Sequence, residues 1–210
     1  MHPSFRLEGR HVRLEPLTVD HVDGLLVAAL GDRSSFGYTQ VPWDKGSMET
    51  YVAKALTKMA EGDHVAFATW SVALGRVVGT TRFYDLAPWD WTELFAGSDS
   101  LLSDGIPPRA TIGYTWLDPA VQRSPINTEA KLLMLDHAFD AWGVEGVRIE
   151  TDARNARSRA AIERLGCSLD GVLRADRPAN DGTIRSSAVY SMLAEEWPAH
   201  RARLASRLQD

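Results

Sequence analysis

The sequence predicts a mixed α/β fold, a central sheet with flanking helices, and three observations carry that expectation. The run "ATIGYTWL", a helical stretch from Thr128 to Trp142 and the run "GVRIETD" form a strand–helix–strand unit, which within one sheet makes a parallel crossover. Two further pairs of β-rich runs are joined by tight-turn signals: "HVAFATWSVA" with "RVVGTTRFYDL" around Leu74-Gly75, and two late strands around Asp181-Gly182. No repeat, low-complexity tract or linker divides the 210 residues, so positions 1–210 are expected to form one domain.

Taken in order, "HVRLEPL" alternates apolar and polar residues as a half-buried strand does. Thr18 then starts an amphipathic helix through Val22, Leu25, Leu26 and Ala29, and a second helix fits Ser47 to Glu61. The first hairpin follows, then an irregular Trp-rich, acidic segment at about 85–110. After the strand "ATIGYTWL" the central helix puts Leu132, Leu135, Phe139 and Trp142 on one stripe. "GVRIETD" reads as a buried strand, Asn155 to Leu165 as a helix closed by Gly166, and "EEWPAHRARLASRL" as a surface helix after the last two strands.

Composition narrows the function. Lys plus Arg total 23 against 28 Asp plus Glu, and a net charge of -5 argues against a chain that holds nucleic acid through a broad positive field. No apolar run approaches the ~20 residues of a membrane span, and "MHPSFRLEGR" lacks the apolar centre of a signal peptide, so a cytoplasmic protein without membrane contact is expected. A single cysteine, Cys167, excludes an internal disulfide, and the six histidines show no ligand spacing, so no metal is expected. Cys167 has no cationic neighbour close in sequence and reads as a small buried hydrophobe.

The turn "QRSPIN" lies between the strand and the central helix, where ligands of such sheets bind. A helix N-terminus offers free N–H groups and a partial positive charge to phosphate, and Arg123 adds a cation. The stretch is neither a GxxxxGK[ST] nor a GxGxxG loop. The competing reading is an ordinary turn stiffened by Pro125 and capped by Asn127 or Thr128.

Two longer stretches, "IGYTWLDPAVQRSPINTEAKLLMLDHAF" and "ETDARNARSRAAIERLGCSLDGVLR", resemble the GCN5-related N-acetyltransferase (GNAT) superfamily, in particular its ribosomal-protein alanine N-acetyltransferase branch. The resemblance spans nearly the whole chain and implies the acyl-CoA N-acyltransferase fold, a mostly antiparallel twisted sheet. It implies acetyl-CoA as co-substrate, an amine acceptor (a protein N-terminus or a small molecule) and direct transfer without a covalent enzyme intermediate. The family's pyrophosphate loop, Gln/Arg-x-x-Gly-x-Gly/Ala, falls on Gln122, Arg123, Ser124, Pro125, Ile126 and Asn127, with Pro125 and Asn127 at the glycine-type positions. Thr128-Glu129-Ala130, Asn155-x-x-Ser158 and Leu165-Gly166 match in order.

A neutral amine attacking a thioester needs an acceptor for its proton, a donor for the oxyanion and a proton for the departing thiolate. The resemblance lays the pantetheine arm beside the strand ending "TWL", with a main-chain N–H of Trp116 or Leu117 at the thioester carbonyl. Where many members carry a glutamate before the Ile-Gly-Tyr this chain has Thr111, and where many carry a tyrosine on the second helix it has Ile162. Ser158 is the hydroxyl left for the thiolate, against a plain role in the first helical turn. Asp176 is read either as a proton relay through water or as a solvated strand carboxylate.

The segment from Asp85 to Ala110 carries Trp89, Asp90, Trp91, Glu93 and Phe95 and meets no Lys or Arg before Arg109. It is expected either to bind a cationic acceptor, through Trp89, Asp90, Trp91 and Glu93, or to cover a sheet edge or build a homodimer contact. An acyl-CoA sensor without turnover, and an interaction protein that keeps only the fold, are the alternatives to an enzyme.

Overall fold

Eight strands and five α-helices build the described part of the protein, a computed structural model covering residues 5–86 and 108–209. The chain runs β1 (Leu7–Glu8), β2 (Val12–Pro16), α1 (Val22–Ala29), α2 (Lys45–Ala60), β3 (Val65–Ser71) and β4 (Arg76–Tyr84). It continues with β5 (Arg109–Leu117), α3 (Pro125–Asp136), β6 (Gly146–Asp152), α4 (Ala156–Leu165), β7 (Ser168–Pro178), β8 (Ile184–Leu193) and α5 (Trp197–Arg207). The strands form one sheet in the order β1-β2-β3-β4-β5-β6-β8-β7. Each neighbouring pair is antiparallel except β5 with β6, which α3 connects as a parallel crossover.

Helices cover both faces. On one, Phe67, Phe83 and Ile112 pack with Met134 and Leu135 of α3, Ile162 of α4 and Trp197 of α5. On the other, Ala66, Ala68 and Trp116 pack with Leu25 of α1 and with Met48 and Val52 of α2. Burying each of the larger aliphatic side chains contributes about 1.5–3 kcal/mol, so the two layers fix the sheet from both sides.

Local chemistry moves several boundaries from the expected ones. α2 starts at Lys45 because Asp44 and Ser47 form a capping box, Asp44 accepting from Ser47 N at 2.7 Å. α3 starts at Pro125, whose fixed φ suits a first helical position, and its N-cap is Ser124 rather than Asn127 or Thr128. With that start the buried positions of α3 are Ile126, Glu129, Ala130, Lys131, Met134 and Leu135, and a π-helical turn, His137–Ala141, then carries Phe139 inward. Leu132 and Trp142 only flank the core. α5 is more than a surface helix, since Trp197 is 2% exposed and stacks on Phe139. Gly166, at φ 109, ends α4 in the left-handed conformation that glycine adopts without strain.

Two buried ionisable side chains on α3 hold separate parts together. The Glu129 carboxylate accepts from the backbone N–H of Arg10, His11 and Val12 at 2.8, 2.6 and 2.8 Å, tying the start of β2 to the helix. The Lys131 ammonium donates to Thr81 Oγ1 and Thr115 Oγ1 at 2.8 and 2.7 Å, bridging β4 and β5. Among the described residues no helix is long and apolar enough to cross a membrane.

Candidate active site

β5 and β6 pair only from Arg109↔Gly146 to Ile112↔Ile149, while Gly113, Trp116 and Leu117 of β5 keep partners on β4 alone. The C-terminal halves of the two parallel strands therefore part. Both crossover helices start at that end, α3 after β5 and α4 after β6, so two helix N-termini and two sets of unpaired strand groups converge there. A bulge sharpens the bend in β5: its register with β4 slips between Thr80 and Arg82, and Tyr114 sits at φ 51. Asp118 N donates to Val78 O on β4, and strand alternation then turns the Leu117 N–H to the opened side. Of the two expected carbonyl donors, Leu117 has the better direction.

The turn before α3 is organised by its own side chains. Ser124 Oγ donates to Val121 O at 2.6 Å and accepts from Ile126 N at 3.4 Å, so its side chain is committed as a cap. Ile126 lies in the core, so its side chain is not available to a ligand. Pro125 has no N–H and the Ile126 N–H is taken by the Ser124 cap, so Asn127 holds the open first-turn donor, while Thr128 begins the helical ladder. Gln122 Nε2 donates to Ser35 Oγ and to Leu117 O, each at 3.0 Å, and its Oε1 accepts from Arg157 Nη1 at 3.2 Å. That last bond brings the two helix N-termini together. Arg123 is exposed in the left-handed region, at φ 64, and has no ion pair among the described residues.

On α4, Asn155 caps the helix by accepting from Ser158 N at 3.0 Å. Ser158 is thus capped rather than capping, one residue from the Arg157 that touches the α3 turn. Asp176 is not a freely solvated carboxylate: it accepts from Ser187 Oγ at 2.5 Å and Arg177 Nε at 2.6 Å. Those bonds, Ser187 first and then Arg177, hold its carboxyl below the usual range and make it a weak base. Arg177 also reaches Glu150 of β6 at 3.1 Å. Thr111, at the glutamate position of the resemblance, donates to Asp85 Oδ2 at 2.8 Å, so an exposed carboxylate stands beside it. Trp89, Asp90, Trp91 and Glu93 lie outside the described residues.

Sequence reasoning missed a cluster on the α2 side of the bulge. Arg82 is 3% exposed, and its guanidinium lies 4.6 Å from the Tyr51 ring and 4.4 Å from the Tyr114 ring. Its Nε and Nη2, and the Nδ1 of His64, have no hydrogen-bond partner among the described residues. Burial, then the charge of Arg82, pushes the His64 imidazole down, and burial, then Glu150, pushes the Tyr84 phenol up. Two cation–π contacts supply ~0.5–2 kcal/mol each, whereas an uncompensated buried ion costs several kcal/mol. The signal was present in "VVGTTRFY", a charged residue inside an otherwise buried strand.

The chain matches the acetyltransferase (GNAT) domain family over residues 11–168. Its fold is similar to a GCN5-related N-acetyltransferase from Brucella melitensis, at 27% identity over 98% of this chain and 86% of that one, TM-score 0.82. An acetyltransferase-like protein from T. thermophilus is 34% identical over 99% of this chain and 98% of that one, TM-score 0.78. Mycobacterium smegmatis RimJ, solved in complex with CoA-disulfide, shares the fold at 20% identity over 97% and 94% of the two chains, TM-score 0.74. None of the curated proteins matches the chain significantly in sequence.

Proposed function

The chain belongs to the acetyltransferase (GNAT) domain family, and from that premise we propose that it transfers the acetyl group of acetyl-CoA to a primary amine by direct attack. The observation that carries the reading is the parting of β5 and β6 beyond Ile112 and Ile149, with two helix N-termini at the open end. An extended arm fits against the unpaired edge of β5, and the N–H of Asn127, the Arg123 side chain and the N-terminal end of α3 are the groups offered to its phosphates. The donor set is leaner than a glycine loop's, because Pro125 contributes none and Ser124 is spent on capping.

Acetyl-CoA supplies the activated acetyl group, and the chain supplies placement and protons. The Leu117 N–H, or that of Trp116, stabilises the negative charge that develops on the thioester oxygen. As the new C–N bond forms and the C–S bond breaks, Ser158 Oγ gives a proton to the departing sulfur. The ammonium proton leaves through water to a carboxylate beside the cleft, either Asp176 or the exposed Asp85 held by Thr111. Trp89, Asp90, Trp91 and Glu93 are assigned to the acceptor on their chemistry alone. Replacing Arg123 and Ser124 together with Glu tests the phosphate assignment. Calorimetric affinity for coenzyme A should fall at least tenfold, and an unchanged affinity removes the turn from the site.

A further inference from the structure

A buried guanidinium without a counter-charge is costly to keep, and nothing among the described residues neutralises Arg82. Its two unpartnered nitrogens are Nε and Nη2. They form one edge of the planar group, the edge that takes both oxygens of a carboxylate in parallel hydrogen bonds. The walls of the slot are fixed from below. Tyr51 OH is 3.2 Å from Thr80 Oγ1, and Thr80 Oγ1 also bonds Tyr114 O at 3.2 Å. The outer wall differs from the inner one, since Tyr114 is 48% exposed at the bulge where β5 leaves β6. Tyr114 is therefore the wall of the guanidinium that stands against solvent. His64, whose Nδ1 is also unpartnered among the described residues, lies with its ring 5.7 Å from that of Tyr114.

We propose that Arg82, walled by Tyr51 and Tyr114, is a carboxylate subsite for the acceptor, so the preferred amine carries an acidic group within reach of the slot. This rests on the acetyl-transfer reading and narrows it. A free amino acid satisfies the pattern through its α-carboxylate, and a peptide N-terminus does so through a neighbouring acidic side chain. Lysine cannot replace Arg82 in this role, because a point charge lacks the paired donors.

Thiol release from acetyl-CoA with matched acceptors tests it: amino acids against their α-amides, and peptides with Asp or Glu after the N-terminal residue against those with Asn or Gln. The carboxylate member of one series should have at least a tenfold higher kcat/KM, expressed in KM, and Arg82→Gln and Arg82→Lys should bring that ratio close to one. Equal use of both members, or a preference that survives in the variants, overturns the subsite. A second measurement does not depend on turnover. N-acetylated amino acids or N-acetylated acidic peptides should raise the Tm of the wild type and leave that of Arg82→Met unmoved, and without any acid Arg82→Met should melt no lower than the wild type. If no acid shifts the wild type, or Arg82→Met alone melts several degrees lower, Arg82 is structural and the proposal fails. Acid-dependent stabilisation without turnover or coenzyme A binding would instead sink the transferase reading and keep the subsite.

Discussion

Lys131 makes the folding stability of this protein depend on pH in a window where most proteins are indifferent. The residue is 5% exposed, its ammonium has two threonine hydroxyls as partners and no carboxylate among the described residues, and burial pushes its pKa down from 10.5 to about 7. In the unfolded chain the amine returns to the ordinary value. Between those two values the unfolded state binds more protons than the folded one, so stability rises with pH across that window and is flat below it. At about 1.4 kcal/mol per pH unit the full gap is worth about 5 kcal/mol, and the part between pH 7 and 9 about 2 kcal/mol. Above pH 9 an opposite effect enters, because burial pushes the Cys167 thiol up to about 12 and unfolding then releases its proton. The measurement is urea unfolding of the wild type and Lys131→Met at pH 7, 8 and 9. The wild type should gain about 2 kcal/mol relative to the variant across that range. Parallel pH dependences would refute the reasoning and mean that Lys131 reaches water or an anion in solution.

Glu129→Ala strands three backbone donors at the start of β2 and should cost about 3–5 kcal/mol in urea unfolding, where a loss below about 1 kcal/mol would mean that water replaces the carboxylate. Ser158→Ala should lower kcat by about tenfold or more with coenzyme A affinity little changed, and an unaltered kcat would leave Ser158 as a residue of the first turn of α4. Shortening 90–104 to a tight turn should raise acceptor KM sharply at constant coenzyme A affinity, and unmoved acceptor kinetics in a folded variant would free that segment of any part in substrate choice.

What the sequence discloses here is whatever local pattern determines. β6 occupies "GVRIETD" to the residue, because its alternation is clean and turns bound it. Gly166 is legible as a helix stop because only a left-handed position explains a glycine there. The sequence pattern starts α3 at Thr128 instead of Pro125, because a proline serves equally as a turn stiffener and as a first helical residue, and only the Ser124 cap decides. The converging helix N-termini follow from the strand–helix–strand order. The contacts that give the site its chemistry do not, since Gln122 meets Arg157, Thr111 meets Asp85 and Lys131 meets Thr81 across 35, 26 and 50 residues of chain. No periodicity encodes such pairings. Lys131 lies hidden in an apolar helix pattern, whereas Arg82 stands out as a charge in a β-rich run but its aromatic partners come from α2 and β5.

The most direct test of the central claim is to incubate the purified chain with acetyl-CoA and the acceptor panel, follow thiol release, and weigh the acceptors by mass spectrometry. The account predicts coenzyme A release coupled one-to-one to a gain of one acetyl group on the nitrogen of a primary amine. Tight coenzyme A binding with no acetylated amine across free amino acids, peptides with free N-termini and aminoglycosides would contradict it, and would make the open end of β5 and β6 a sensor of acyl-CoA rather than an active site.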